Sequence, residues 1–108
     1  MTYEEIFEKV KELFQHADVS GVKEHLAYQF NIVGEGEGAF YAEISDGKLD
    51  LQPYEYYDRD AIFICKADVL FKIISGETDP IKAFTLGRLK VEGSIDKALL
   101  LKDFVKKQ

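Results

Sequence analysis

Between Leu26 and Pro53 the apolar residues fall at every second position in three successive runs. Leu26, Tyr28, Phe30 and Ile32 alternate with Ala27, Gln29 and Asn31; Phe40, Ala42 and Ile44 alternate with Tyr41 and Glu43; Leu49 and Leu51 continue the pattern. A period of two sends successive side chains to opposite faces of a strand, so each run predicts a strand with one buried face. Asp46-Gly47 is a strong tight-turn signal between the second and third runs, and Pro53, which cannot donate to a ladder, ends the third. The result is a three-stranded meander whose apolar face needs a cover. The residues before it supply one. Ile6, Phe7, Val10, Leu13 and Phe14 recur at helical spacing from Thr2 to about Ala17, and Thr2 followed by Glu5 forms a capping box.

After the meander the pattern changes. Ala61-Ile62-Phe63-Ile64-Cys65 is continuously apolar, which in so short a run predicts a strand in the middle of the sheet, buried on both faces. Ala67 to Ser75 returns to helical spacing and Gly76 closes it; Asp79-Pro80 opens a short helix through Phe84 that Gly87 stops. Arg88 to Glu92 alternates again. From Ser94, a good N-cap, one last helix carries Ile95, Ala98, Leu99, Leu101, Phe104 and Val105. Helix, three strands, crossover, strand, helices, strand, helix describes an α+β fold: a five-stranded sheet with helices packed on one face. At 108 residues this is one domain, 1–108, with no second module.

Composition removes several function classes. Cys65 is the only cysteine, so no internal disulfide can form, and the Met1 end lacks the basic flank and apolar run of a signal peptide; both point to the cytoplasm. No stretch is apolar for the eighteen or so residues a membrane span requires. A net charge of −6 opposes binding to phosphate backbones, so no nucleic-acid partner is expected. Lys97, Lys102, Lys106 and Lys107 crowd the C-terminal stretch. Cations belong at a helix C-terminus by the macrodipole alone, and transient contact with an anionic membrane surface is the second reading.

No catalytic constellation assembles. The loop Gly34-Glu35-Gly36-Glu37-Gly38 joins two strands and carries two carboxylates, whereas phosphate-cradling loops open a helix and avoid negative charge. His16 and His25 lie far from each other and from Cys65 in sequence, with neither a nucleophile elbow nor a zinc spacing. Asp58-Arg59-Asp60 pairs two carboxylates around an arginine, which predicts mutual neutralisation where a strand begins. Tyr54, Tyr56 and Tyr57 predict packing at a sheet edge, or the rim of an interface or cavity. No catalytic residue, metal or cofactor is expected.

What remains is an apolar surplus between Ala67 and Val105, which by periodicity alone means only a core. The order of its residues says more. Ala67-Asp68, Ile73 to Gly76, Asp79-Pro80, Ala83-Phe84, Gly87-Arg88-Leu89-Lys90-Val91-Glu92-Gly93, then Ala98-Leu99 and Leu101 together resemble the sterol-carrier-protein lipid-binding domain family. The match is strongest from Ala61 to Val105 and rests on strand pattern and Gly47 from Leu26 to Leu51. The resemblance implies a non-catalytic domain whose sheet and helices enclose an apolar tunnel for a fatty acid, acyl chain or sterol. The ending Val105-Lys106-Lys107-Gln108 is not a peroxisomal tripeptide. That ending argues against peroxisomal import, and because nothing attached to the domain suggests a thiolase or dehydrogenase partner, a free-standing module of the kind common among the family's bacterial members is expected, monomeric or homodimeric. The cavity wall is expected from Phe63, Leu70, Ile73, Ile74, Phe84, Leu86, Leu89, Leu99 and Phe104. The alternative is a structural or protein-interaction domain that dimerises through the same apolar faces.

Overall fold

In the computed structural model, which describes residues 1–105, the alternating runs become β1 (Leu26–Ile32), β2 (Gly38–Ser45) and β3 (Lys48–Gln52). They pair antiparallel with Phe30 opposite Phe40 and Ala42 opposite Leu51. α1 (Tyr3–Phe14) precedes them, closed by the expected capping box: the Glu5 amide donates to the Thr2 hydroxyl at 3.2 Å and the Thr2 amide to the Glu5 carboxylate at 2.8 Å. Next come β4 (Ala61–Cys65), α2 (Ala67–Ile74), α3 (Pro80–Thr85), β5 (Leu89–Gly93), α4 (Ile95–Leu99) and α5 (Leu101–Phe104). The sheet order is β3-β2-β1-β4-β5, with β4 parallel to β1 and β5 antiparallel to β4. The architecture is α+β, a five-stranded mixed sheet with its helices on one face. No helix among the described residues is long and apolar enough to cross a membrane.

Register decides which side chains meet. Phe40, Phe30 and Phe63 sit in line across three neighbouring strands, and Phe30 stacks on both others at 5.4 Å between centroids. Phe7 meets Phe40 edge-on, Phe14 tilts over Phe30, and Tyr28 contacts Phe63 and Phe104. With Ile6, Val10, Leu70, Ile73 and Ile74 these rings fill the space between the helices and strands β1, β2 and β4. Native interiors pack this densely because voids forfeit dispersion contacts.

Four local expectations are corrected. The strand buried on both faces is β1, not β4. Ala27 and Gln29 are buried behind β1 because residues 53–60 cross the back of the sheet: Tyr56 stacks on Tyr41 at 4.6 Å, and its amide donates to the Gln29 side chain at 3.1 Å. In β4, Ile62 and Ile64 stay half-buried because nothing comparable covers them. Of the tyrosine cluster, Tyr56 thus packs over the second strand rather than a sheet edge, while Tyr54 and Tyr57 remain exposed. Asp58 and Asp60 do not pair with Arg59. The Asp60 carboxylate accepts the Ala27 amide at 2.9 Å and lies 3.4 Å from Lys97 Nζ, and Arg59 donates to the Tyr56 carbonyl. Finally, the last helix is two, broken at Leu100, whose amide bonds the Lys97 carbonyl three residues back. That carbonyl also accepts the Tyr28 hydroxyl at 2.6 Å. Lys106, Lys107 and the terminal tripeptide lie outside the described residues.

Candidate functional site

α1 and α2 close over one half of the sheet, but α3 and α4 stand apart over the other. The sequence dictates this separation. Asp79 caps α3, accepting the Ile81 amide at 2.8 Å, Pro80 fixes its first turn, and Gly87 with φ +76 turns the chain straight into β5. Ser94 then caps α4 directly after β5, accepting the Lys97 amide at 3.2 Å. The two helices flank the edge strand that separates them in sequence, and an apolar groove of about 250 Å³ lies between them. Its floor is Phe63 of β4 with Leu89 and Val91 of β5; its walls are Pro80, Ile81 and Phe84 on one side and Ile95, Ala98 and Leu99 on the other. Lys102 of α5 is the one charged residue lining it. The groove opens to solvent rather than closing into a tunnel, leaving Phe84 52% exposed and Leu99 48%. Isolated exposed apolar residues are ordinary on proteins, but a contiguous concave set marks a binding surface.

Of the nine residues expected to wall a cavity, Phe63, Phe84, Leu89 and Leu99 meet in this groove. Leu70, Ile73, Ile74 and Phe104 are buried in the core under the helices. Leu86 is 56% exposed and faces a second cleft on the other side of α3. Pro80, Ile81, Val91, Ile95, Ala98 and Lys102 also line the groove without being expected there, and two of them carry a readable signal: Ile81 and Ile95 precede Phe84 and Leu99 by three and four positions, on the same helix faces.

The second cleft is larger, about 860 Å³, but charges of both signs line it, including Lys66, Asp68, Glu77 and Arg88. An apolar ligand there would strip water from ions without replacing it. Elsewhere, His25 Nε2 lies 2.6 Å from Glu43 Oε2, which also accepts the Tyr56 hydroxyl at 3.0 Å. Hydrogen bonds from His25 first and then Tyr56 hold the Glu43 carboxyl below its ordinary range. This cluster anchors segment 53–60 to the back of the sheet. Burial pushes the Cys65 thiol up to about 12, so it is not poised as a nucleophile. Among the described residues no group of three or more His, Cys, Asp or Glu side chains is arranged to hold a metal ion.

The chain is 32% identical to sterol carrier protein 2 of Arabidopsis thaliana over 77 residues, 68% of this chain and 63% of that one. It is 30% identical over 99 residues to hydroxysteroid dehydrogenase-like protein 2 of Mus musculus, covering 91% of this chain but 20% of that protein. It thus spans less than two thirds of the length of either relative. Among solved structures, the palmitated SCP2L2 of Aedes aegypti superposes with a TM-score of 0.68 at 20% identity, over 97% of this chain and 95% of that one, a likeness of fold. The SCP-2 sterol transfer family model matches residues 7–106. With a sheet, helix placement and sequence match that agree over nearly the whole chain, this protein belongs to the SCP-2 sterol transfer family.

Proposed function

We propose that the groove between α3 and α4 binds the acyl chain of a lipid, and that the domain carries this lipid without performing chemistry on it. The observation that carries the reading is the lining: nine of the ten residues around the groove are apolar, and Ile81, Phe84, Ile95 and Leu99 on its helices are half-exposed, with nothing among the described residues covering them. Covering Ile81, Phe84, Ile95 and Leu99 would return roughly 3–6 kcal/mol, taking half of the ~1.5–3 kcal/mol for burying each such side chain. The Aedes aegypti relative, solved in palmitated form on the same fold, supports the choice of a fatty acyl chain over other apolar ligands.

A volume of about 250 Å³ lies just below the range of ~300–1,000 Å³ typical of small-ligand pockets. A long chain would therefore fill the open groove and extend past it, or part α3 from α4 and deepen it into a tunnel. Each methylene taken from water contributes roughly 0.8 kcal/mol, but a lipid leaving a bilayer is already dry, so exchange between protein and membrane is near balance. Near balance is what a carrier requires. No acid, base or nucleophile lines the groove apart from the Lys102 ammonium, so the ligand would leave unchanged.

Phe84→Asp tests the reading. Phe84 is exposed, so the fold is expected to persist while displacement of a fluorescent fatty acid weakens by about 2–3 kcal/mol, roughly 30- to 150-fold. Unchanged affinity in a folded variant would refute the groove as the site. A ligand-free dimer that the same substitution dissociates would instead favour a protein-interaction surface.

A further inference from the structure

We propose that β3 pairs with the β3 of a second copy of this chain, antiparallel about a two-fold axis at Leu49, joining two five-stranded sheets into one of ten strands. β3 is the outermost strand at the end of the sheet away from the groove, and among the described residues no hydrogen bond reaches the backbone of its outer side. The other outermost strand, β5, has α3 and α4 against it. The turn before β3 decides which of its groups face outward. Asp46 at φ +53 and Gly47 at φ +74 form a two-residue type I′ hairpin, which makes Ser45 and Lys48 a hydrogen-bonded pair. Pairs alternate along an antiparallel ladder, so Lys48, Asp50 and Gln52 direct their amides and carbonyls to β2, while Leu49 and Leu51 direct theirs outward. An unpaired row of this kind is a template for another strand.

Charge selects the strand that fits. Exposed edges ordinarily carry charges that refuse a partner, and Lys48 and Asp50 are exposed on the sheet face opposite the buried Leu51. Their signs are opposite, however, and they stand two residues apart. With Leu49 facing Leu49 across the axis, Lys48 of each copy faces Asp50 of the other, twice over, in the close non-hydrogen-bonded position. Lys48 is in no ion pair among the described residues, and Asp50 accepts hydrogen bonds from the Gln52 side chain at 3.1 and 3.2 Å, in full solvent. The neighbouring registers fail. An axis at Asp50 sets Asp50 against Asp50; an axis at Lys48 sets Lys48 against Lys48 and Asp46 against Asp50; an axis at Leu51 sets Leu49 against Pro53, which has no amide to give. Lys48 is also the only Lys or Arg between Leu26 and Asp58, so it is the one point at which this acidic stretch attracts its own copy. Leu49, half-buried at the rim of the core, gains its counterpart as cover.

Two short strands bury less than the ~1,200 Å² of a stable interface, so the dimer is expected to be weak, and sedimentation velocity from about 10 µM to about 1 mM is expected to show the chain passing from monomer to dimer. Each opposite-charge cross-strand pair is worth about threefold. Lys48→Asp removes two and sets like charges face to face, so it is expected to weaken dimerisation at least about tenfold, as is Asp50→Lys. Combining the two substitutions restores the pairs in reversed order and is expected to return the affinity to within about threefold of wild type. Monomer at every concentration, a dimer indifferent to the single reversals, or one that the double reversal fails to restore would each overturn the proposal. Cross-linking checks the register. Hydrogen-bonded antiparallel neighbours have Cα atoms about 5.5 Å apart, within disulfide range, so copper-phenanthroline oxidation is expected to link Leu49→Cys chains. Gln52→Cys, whose two copies would lie on the order of 20 Å apart, is expected to stay unlinked, and the buried Cys65 does not compete. Equal linking of both variants would refute the axis at Leu49. Lys48 and Asp50 do not line the groove, so fatty-acid affinity is expected to hold in their variants, and a dimer that Phe84→Asp dissociates would place the contact on the groove instead.

Discussion

Lys102 is the single charge at an otherwise apolar groove, and its position makes a prediction about ligand class. A fatty acid with its carboxylate at that end would gain a screened, surface-type ion pair, while a fatty alcohol of the same length would not. Lys102→Glu is expected to weaken palmitate by about fivefold and leave hexadecanol within a factor of two, read by competition against one fluorescent probe. Equal loss for both would mean that Lys102 acts through packing of its aliphatic stem instead. Legibility at this scale was uneven. Phe63, Phe84, Leu89 and Leu99 were nameable in advance because they occupy apolar positions in elements that border β5. Leu70, Ile73 and Ile74 were equally apolar and equally periodic, yet face the core. Periodicity identifies the stripe on a helix but not what the stripe meets, and only the packing of α2 beside α1 over the core, against α3 beside β5, separates the two.

Among elements, the segment from Gly87 to Gly93 bears one part of the family resemblance, and the structure gives its last glycine a steric reason. Gly93 has φ +92, and a Cβ there would sit 2.6 Å from the Asp60 carbonyl oxygen, which accepts the Ser94 amide at 2.8 Å. Backbone on both sides cannot yield cheaply. Gly93→Ala is expected to cost roughly 2–4 kcal/mol from left-handed strain plus overpacking, whereas Gly21→Ala, which meets nothing within 4 Å, is expected to change the urea midpoint little. The elements and the α+β class were readable from period and punctuation. Three things were not: that β1 rather than β4 is covered on both sides, that the last helix breaks at Leu100, and that Asp60 bonds across to Ala27. Each depends on a contact between residues distant in sequence, namely Tyr56 on Gln29, Tyr28 on Lys97, and Asp60 on Ala27. Local pattern cannot encode such pairs.

For the molecule as a whole, two buried acids make stability depend on alkaline pH. Cys65 is pushed up to about 12 and Tyr28 is raised further, in both cases chiefly by burial. Their folded-state values exceed the unfolded ones, so the stability they confer is complete below about pH 8.5, the ordinary thiol range, and is lost as pH rises from there toward the folded values. Urea unfolding is expected to show stability falling by about 1 kcal/mol per pH unit between pH 9 and 11 on account of Cys65, and Cys65→Ala is expected to flatten that slope by about one proton. An unchanged slope would contradict the assignment. One half of the sheet is sealed by aromatic stacking under α1 and α2, and the other keeps its apolar side chains half-open between α3 and α4. The central claim is that an acyl chain lies in that open half. Uniformly carbon-13-labelled palmitate bound to the protein tests it directly by NMR. The account predicts Overhauser contacts from the chain methylenes to Phe63, Phe84, Leu89 and Leu99; contacts confined to α1, or to the cleft lined by Lys66 and Asp68, would contradict it.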